Sequence, residues 1–236
     1  MLCVQQATTL EWITSLSTLA AVVLALAVAL WGESMKRWFY KPDLRLEAMV
    51  RRPDVERVER RSVNRSPALT IAEYYAWFFR LEISNLSETP ARDVQVYLKR
   101  IEKADGTVVT KFTPMNLKWT NTDPMTPAAT TRKVLLKDLP IFCDFIHVSD
   151  PKYRPQHHED QSDVVVDKAI MCLDVEATNS AKGHLLGPGA YRFYLYVAGE
   201  NSPARHFTVE VRYNGTWYPD QDQMFDQEIG FRIKKL

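Results

Sequence analysis

The feature that most constrains this chain is an uncharged apolar stretch near its start. Residues 12–31, WITSLSTLAAVVLALAVALW, are rich in Ala, Val and Leu and contain no charged side chain. As a helix, such a stretch would be about 30 Å long, which is the thickness of the hydrocarbon core of a bilayer. Trp12 and Trp31 stand at its two ends, where indole rings prefer the headgroup level. The pattern predicts a transmembrane helix over residues 12–31, with Trp12 and Trp31 as membrane-interface anchors.

Two other interpretations of the same stretch stay open. Ala27-Val28-Ala29 has the small-x-small form of a signal-peptide cleavage site, but residues 1–11 contain no Lys or Arg. A secretory signal needs a positive segment before a short apolar core. A buried helix of a globular domain is the other alternative, although such helices usually carry polar residues along one face. The retained membrane helix is the favoured interpretation.

The charges that follow the apolar stretch predict an orientation and a domain organisation. Lys36, Arg37 and Lys41 come directly after it, and Lys and Arg concentrate on the cytoplasmic side of a membrane helix. We therefore expect a single-pass protein of the plasma (inner) membrane with its N-terminus outside. The expected parts are a short outer tail (1–11), the transmembrane helix (12–31), a juxtamembrane linker (32–42) and a cytosolic domain (43–236). Small residues along the helix also allow a homo-oligomer.

The membrane-proximal part of the chain is basic. Between Lys36 and Arg65 there are ten bases and five acids, whereas residues 66–236 contain 20 bases and 22 acids. A basic cluster beside a membrane favours anionic lipids. The residues predicted to contact lipid headgroups are Lys36, Arg37, Trp38, Lys41, Arg51, Arg52, Arg60 and Arg61. The nearly neutral distal domain lacks the basic surplus of a nucleic-acid-binding protein, so no nucleic acid partner is expected.

Alternating apolar residues in the distal domain predict β-strands. Tyr75, Trp77, Phe79, Leu81 and Ile83 fall on one face of the strongest strand, and residues 191–197 and 207–211 alternate in the same way. Residues 51–67 have few large apolar side chains and are predicted to be a long loop. The final segment, 220–236, fits either a short helix or a last strand. The fold class expected is mainly β, an antiparallel β-sandwich after the N-terminal helix.

Two segments carry a resemblance to a known class of domain. LEISNLSETPARDVQVYL resembles the strand, turn and strand of CARDB-like and other immunoglobulin-like modules, and LLGPGAYRFYLYV is similar to their tyrosine-corner strand, with Tyr191 at the corner. The resemblance implies an immunoglobulin-like β-sandwich over roughly residues 43–213 and implies no activity. An anchor ahead of such a domain resembles uncharacterised bacterial single-pass membrane proteins.

Residues that could perform chemistry are few in this sequence. His157-His158-Glu159-Asp160 is a dense group of possible metal ligands, but a site needs three or four that converge, so His157 and His158 are weak candidates in a polar loop. There is no GxSxG motif and no phosphate-binding glycine loop. Cys143 and Cys172 are expected to be small buried residues, and His147 a structural one. No catalytic residue and no cofactor are predicted.

These observations favour a membrane-anchored, non-enzymatic scaffold that presents a cytosolic β-sandwich to a partner protein. An alternative is a ligand-gated membrane effector that oligomerises through its helix and perturbs the bilayer. A third hypothesis is a metal-dependent enzyme centred on His157 and His158.

Overall fold

Helix α1 (Leu2–Phe39) belongs to the first of two units into which the chain divides, residues 1–41 and 42–236. The structure is a computed structural model that describes residues 2–39, 41–49, 54–64, 70–122, 130–151, 168–177, 181–225 and 229–235. Within α1 the hydroxyls of Ser17 and Thr18 each donate to the carbonyl oxygen of Thr14 at 2.8 Å. These bonds satisfy the hydroxyls within the helix itself.

The expected membrane anchor is not supported. Among the described residues, no helix is long and apolar enough to cross a membrane. Four hydroxyl residues lie between positions 14 and 18, and the unbroken run of apolar residues that follows covers only the 13 positions from 19 to 31, a helical length of about 20 Å. The prediction of a transmembrane helix over residues 12–31 was therefore wrong, and with it the prediction of a single-pass inner-membrane protein with a cytoplasmic domain.

The second unit is mainly β, and the antiparallel sandwich predicted from the alternating pattern is confirmed. The described strands are β1 (Leu44–Glu47), β2 (Val55–Asn64), β3 (Thr70–Asn85), β4 (Ala91–Lys103), β5 (Met115–Asn116), β6 (Lys118–Trp119), β7 (Arg132–Leu135), β8 (Ile141–Ser149), β9 (Met171–Leu173), β10 (Leu185–Leu186), β11 (Gly189–Gly199), β12 (Ser202–Tyr213) and β13 (Ile229–Lys235). A short helix α2 (Gln221–Gln223) precedes β13, so the final segment contains both a helix and a strand.

The strands form two sheets. In the first sheet the order is β1-β3-β8-β9-β10, with β2 also paired to β3 and β6 to β8. In the second sheet the order is β13-β12-β11-β4-β5, with β7 also paired to β4. The pairs within these ladders are antiparallel.

The hydrophobic core lies between the two sheets. Phe145 of β8 and Phe193 of β11 are fully buried and meet edge to face, with ring centroids 5.0 Å apart. On β3 the predicted inner residues Trp77, Phe79, Leu81 and Ile83 are buried, whereas Tyr75 is 38% exposed. The alternation therefore predicted the inner face of β3 correctly except at Tyr75.

Strand β2 lies inside a segment that was predicted to be a loop. Its residues pair with β3 from Val55 opposite Phe79 to Asn64 opposite Thr70. The loop prediction for 51–67 was wrong over this range because an edge strand needs few apolar side chains when its neighbour supplies the backbone hydrogen bonds. Charged residues on an edge strand also discourage further strands from pairing there.

Both sheets contain a β-bulge that affects the faces of their strands. In the first, Phe79 pairs with Ile146 and Arg80 with Asp144, so Phe145 is the extra residue on β8. In the second, Tyr194 pairs with Arg100 and Leu195 with Leu98, so Lys99 is the extra residue on β4. A bulge shifts the alternation of side chains by one residue. Asp144 and His147, three positions apart, therefore lie on the same face of β8.

A tyrosine fixes the beginning of strand β11. The Tyr191 hydroxyl donates to the carbonyl oxygen of Gly187 at 2.9 Å, and the side chain is buried. Burial raises the pKa of this phenol. The bond ties the beginning of β11 to the Gly-Pro-Gly segment before it.

Candidate functional site: the outer faces of the two sheets

The outer face of the second sheet, called here the open face, consists of side chains of β4, β11, β12 and β13 that point away from the core. Their cross-strand register places them in rows. One row contains Glu102, Arg192, Glu210 and Arg232, the next Arg100, Tyr194, Thr208 and Lys234, and the third Tyr97, Tyr196 and His206. The tyrosines of these rows lie on β4 and β11, and charged side chains surround them on all four strands.

The open face has an excess of positive charge. In its central part, from residue 97 of β4 onward, the described acids are Glu102 and Glu210, and the described bases are Lys99, Arg100, Arg192, Arg212, Arg232 and Lys234. Six bases against two acids leave a net charge of +4, although the whole chain has a net charge of +1. The excess is a property of the folded sheet, because these residues come from four separate segments.

Tyr194 lies at the centre of the open face. Its hydroxyl donates to Oε2 of Glu102 at 2.6 Å, and the guanidinium carbon of Arg100 lies 4.0 Å from the centre of its ring. A cation in this position is attracted by the negative face of the aromatic ring. The two contacts hold the Tyr194 ring and the Arg100 fork in fixed positions relative to β4.

Tyr196 is the next tyrosine along β11. Lys99, the bulge residue of β4, donates to the Tyr196 hydroxyl at 2.7 Å, and the His206 ring lies 4.2 Å from the Tyr196 ring at an angle of 42°. Both neighbours are exposed. The contacts join β4, β11 and β12 across the surface of the sheet.

Glu210 connects the open face to the edge of its sheet. It accepts from Arg192 on β11 at 3.2 Å and from Lys234 on β13 at 3.3 Å. The hydrogen bond from Lys234, followed by that from Arg192, lowers the pKa of the Glu210 carboxyl. The edge strand therefore presents Lys234 and Arg232 beside the central bases.

The outer face of the first sheet, called here the closed face, contains an ionic group that is largely buried. The Arg80 guanidinium donates to Glu56 at 2.7 Å and to Asp144 at 3.2 Å, and the Arg80 side chain is only 11% exposed. Thr120 also donates to Asp144, at 2.7 Å. Burial and the charge of Asp174 raise the pKa of the Asp144 carboxyl, while Thr120 and Arg80 act in the opposite direction.

A second group on the closed face, called here the thiol cluster, consists of Cys172, His147 and Asp174. Nδ1 of His147 lies 3.0 Å from each carboxylate oxygen of Asp174, and the imidazole stacks on Phe78 with ring centroids 5.1 Å apart. His147 is 8% exposed. Burial lowers the pKa of His147, but Asp174 and Cys172 raise it by more, so that the pKa lies well above its usual range.

The residues predicted to contact the membrane are only partly described. Trp12 and Trp31 lie in α1 and are 73% and 62% exposed, and Lys41 is exposed. Lys36, Arg37 and Trp38 lie in α1, and Arg60 and Arg61 lie in β2, but their side chains are outside the described part, as are Arg51 and Arg52 altogether. The predicted contact with anionic lipids is therefore untested.

The weak metal candidates His157 and His158 also lie outside the described residues. Within the ranges that are described, no group of three or more His, Cys, Asp and Glu side chains is placed to hold a metal ion. The hypothesis of a metal-dependent enzyme centred on these histidines gains no support from the described part of the chain.

Both outer faces contain residues that the sequence analysis did not select as sites. Arg192, Tyr194 and Tyr196 alternate with the core residues of β11, so the period-two pattern already placed them on the outside. For the thiol cluster the sequence offers no comparable signal. Cys172 and Asp174 lie on β9 and directly after it, but His147 lies on β8, and no short spacing connects it to the other two.

The geometry is the available guide to function for this chain. Comparison with protein-family models, with curated proteins and with solved structures found no match.

Proposed function

We propose that the β-sandwich is a non-enzymatic protein-binding domain and that the open face binds an acidic surface of a partner protein. The observation that supports this most directly is the net charge of +4 on a face whose centre is Tyr194 held under Arg100. Tyr and Arg are enriched among the residues that contribute most to protein interfaces. Complementary charge around such a centre speeds association and orients the partner.

Several features of the open face favour a protein over a nucleic acid. Arg100 covers the ring of Tyr194 and His206 lies against the ring of Tyr196, whereas binding of single strands relies on aromatic faces on which bases can stack. The carboxylates of Glu102 and Glu210 also stand among the bases and would repel phosphates. A protein surface can form ion pairs with the bases and avoid both carboxylates.

We also propose that the domain is immunoglobulin-like. The support is the bond from the Tyr191 hydroxyl to the Gly187 carbonyl at 2.9 Å, at the start of a central strand of one of two antiparallel sheets. A tyrosine corner in immunoglobulin-like domains makes a bond of this kind to the backbone a few residues upstream.

The membrane-anchored form of the scaffold hypothesis, and the membrane effector, are not retained because both depend on the transmembrane helix.

The proposal is tested with defined probes. A fluorescent glutamate/tyrosine copolymer represents an acidic protein surface, and a single-stranded oligothymidine of similar net charge represents nucleic acid. Binding to the full chain is measured by fluorescence anisotropy over a range of salt concentrations. We expect the copolymer to bind with a salt-dependent affinity, and the double variant Arg100→Glu with Arg192→Glu to weaken it at least about tenfold.

Arg45→Glu is the matched control. Arg45 is an exposed base on β1 of the other sheet. Replacing it with Glu changes the net charge as much as replacing one open-face arginine, but it leaves the open face unaltered. The proposal is contradicted if the oligothymidine binds and the copolymer does not. It is equally contradicted if Arg45→Glu weakens copolymer binding as much as Arg100→Glu or Arg192→Glu does when introduced alone.

A further inference from the structure

We propose that Cys172 is a reactive thiol, activated by His147 and Asp174, which forms mixed disulfides with low-molecular-weight disulfides. The site lies on the closed face, so it is separate from the binding surface proposed above. Its function would be reversible modification of the domain and would not require turnover of a substrate.

The strand pairing places the thiol and the imidazole side by side. Cys172 on β9 is directly opposite His147 on β8 in the antiparallel ladder. Met171 and Leu173, which flank Cys172, are buried in the core, so the Cys172 side chain points to the outer face, as His147 does. Directly opposite residues in such a pair have Cβ atoms about 4.5–5.5 Å apart, which brings the side chains into contact.

Asp174 and Phe78 hold the imidazole in one orientation. Nδ1 of His147 faces both oxygens of Asp174 at 3.0 Å, which leaves Nε2 as the nitrogen that can exchange a proton with a neighbour. Stacking on Phe78 fixes the plane of the ring. A nucleophile, a base and a group that orients the base form the arrangement by which proteins activate thiols.

The charges around His147 favour its protonated form. The ionisable groups beside it are Asp174 and Cys172, and Asp144, Arg80 and Lys118 are adjacent on the same face. Burial opposes a charge on the ring, but Asp174 and Cys172 outweigh it and raise the pKa of His147. An imidazolium beside a thiol is a recognised means of stabilising the thiolate, which is the nucleophilic form.

Cys143 is the natural comparison within the same sheet. It is fully buried on the core side of β8, and burial raises the pKa of its thiol. Cys172 is partly exposed, and neither of these two cysteines is in a disulfide. Of the two, only Cys172 combines access from solvent with a neighbouring base.

The reaction conserves atoms and electrons with a disulfide as the oxidant. In the resting pair the proton of Cys172 already lies on His147, and the Cys172 thiolate attacks one sulfur of the small disulfide. A new S–S bond forms to Cys172 while the S–S bond of the reagent breaks. The departing thiolate takes the proton from His147 and leaves as a free thiol. Cys172 is thereby oxidised, the reagent is reduced, and excess small thiol reverses the step.

The test is the pH dependence of the reaction rate. The full chain carrying Cys3→Ser is treated with 5,5′-dithiobis(2-nitrobenzoic acid) and, separately, with glutathione disulfide, and the modified residue is identified by peptide mass mapping. An unactivated thiol has a pKa of about 8.5 and loses about tenfold in rate per pH unit below it. We expect the rate at Cys172 to change by less than about threefold between about pH 6 and about pH 8.

Variants separate the roles of the residues. Cys172→Ser should abolish the modification, and Cys143→Ser is the matched control that should leave the profile unchanged. His147→Gln should restore the steep fall in rate with falling pH. At neutral pH its rate should be about tenfold lower than that of the parent chain. Asp174→Asn, which alters a positioning residue, should move the profile part of the way.

The chain that retains both Cys172 and His147 tests the proposed reactivity by itself, even if His147→Gln fails to fold. A rate that falls tenfold per pH unit below pH 8, or a label that maps to Cys143, overturns the proposal. A flat profile that survives in a folded His147→Gln variant overturns the assigned role of the imidazole.

Discussion

The outer faces of the two sheets occupy equivalent positions in the sandwich, but they differ in how far their charged side chains are buried and paired. On the closed face Arg80, Asp144 and His147 are largely buried and paired with one another or with close neighbours. On the open face Arg100, Arg192 and the other bases are exposed and exceed the acids. The comparison suggests that the closed face contributes to stability and reactivity, while the open face is available for association. The predictions below test this division.

The largest effect is expected from Arg80→Ala. The change removes the cation between Glu56 and Asp144 and leaves the Asp144 carboxylate largely buried without it. Breaking a buried ion pair on one side is strongly destabilising, and we expect the free energy of unfolding to fall by about 3 kcal/mol. Urea denaturation followed by circular dichroism measures the change.

Two further variants make the prediction specific. Arg80→Met combined with Asp144→Leu should recover most of the loss, because an apolar pair removes both buried charges. Arg192→Ala is the control on the open face, where the ion pair with Glu210 is exposed, and it should leave the free energy of unfolding nearly unchanged. Equal losses for Arg80→Ala and Arg192→Ala would contradict the division between the faces.

An intermediate effect is expected in the dependence of stability on pH. The folded state raises the pKa of His147 above its ordinary value of 6.5, so it binds the proton more tightly than the unfolded chain does. This contribution is fully present below about pH 6.5 and is lost as the pH rises through the folded pKa, with a slope of at most about 1.4 kcal/mol per pH unit. Denaturation midpoints measured across this range should fall with rising pH.

The raised pKa of Asp144 has the same sign and acts in a lower window, which begins near its ordinary value of 3.8. His147→Gln should therefore flatten the slope above about pH 6.5 and leave the acid range alone. His206→Gln on the open face is the matched control and should retain the slope of the parent chain. A slope that persists in His147→Gln would assign the pH dependence to other groups.

The smallest effect is expected from Glu210→Gln. The carboxylate pairs with Lys234 and Arg192 on an exposed surface, and these pairs lower its pKa, so their contribution exists above about pH 4.5 and is lost as the pH falls. We expect a slight fall in melting temperature at low salt that disappears at about 1 M salt. A loss that is large or independent of salt would show that the open face has a structural role.

The sequence predicted the parts of the fold that depend on alternation within one strand. The inner faces of β3, apart from Tyr75, and of β11 were correctly assigned, because one apolar residue in two is enough to identify a buried face. β2 was missed since its charged residues resemble a loop unless its partner β3 is known. The membrane helix was wrongly predicted because the absence of charge was given more weight than the hydroxyl residues between 14 and 18.

The two outer faces differ in how far sequence could have found them. The exposed half of β11 follows from the same alternation that gave its buried half, so Tyr194 and Tyr196 could be placed outside, but their neighbours Arg100 and His206 could not be identified without the register. The thiol cluster depends on the pairing of β8 with β9. No local pattern encodes that pairing, and a histidine and a cysteine far apart in the chain gave no sign of contact.

The bulge at Phe145 bears on how this strand can vary in length. On either side of Phe145 the residues of β8 alternate regularly, with Asp144 and His147 outward and Cys143, Ile146 and Val148 inward. A chain that lacked Phe145 would keep all the remaining side chains of the strand on their present faces. It would lose the contact of Phe145 with Phe193. Relatives one residue shorter here can therefore keep Asp144 and His147 on the outer face, and an alignment should place its gap at Phe145.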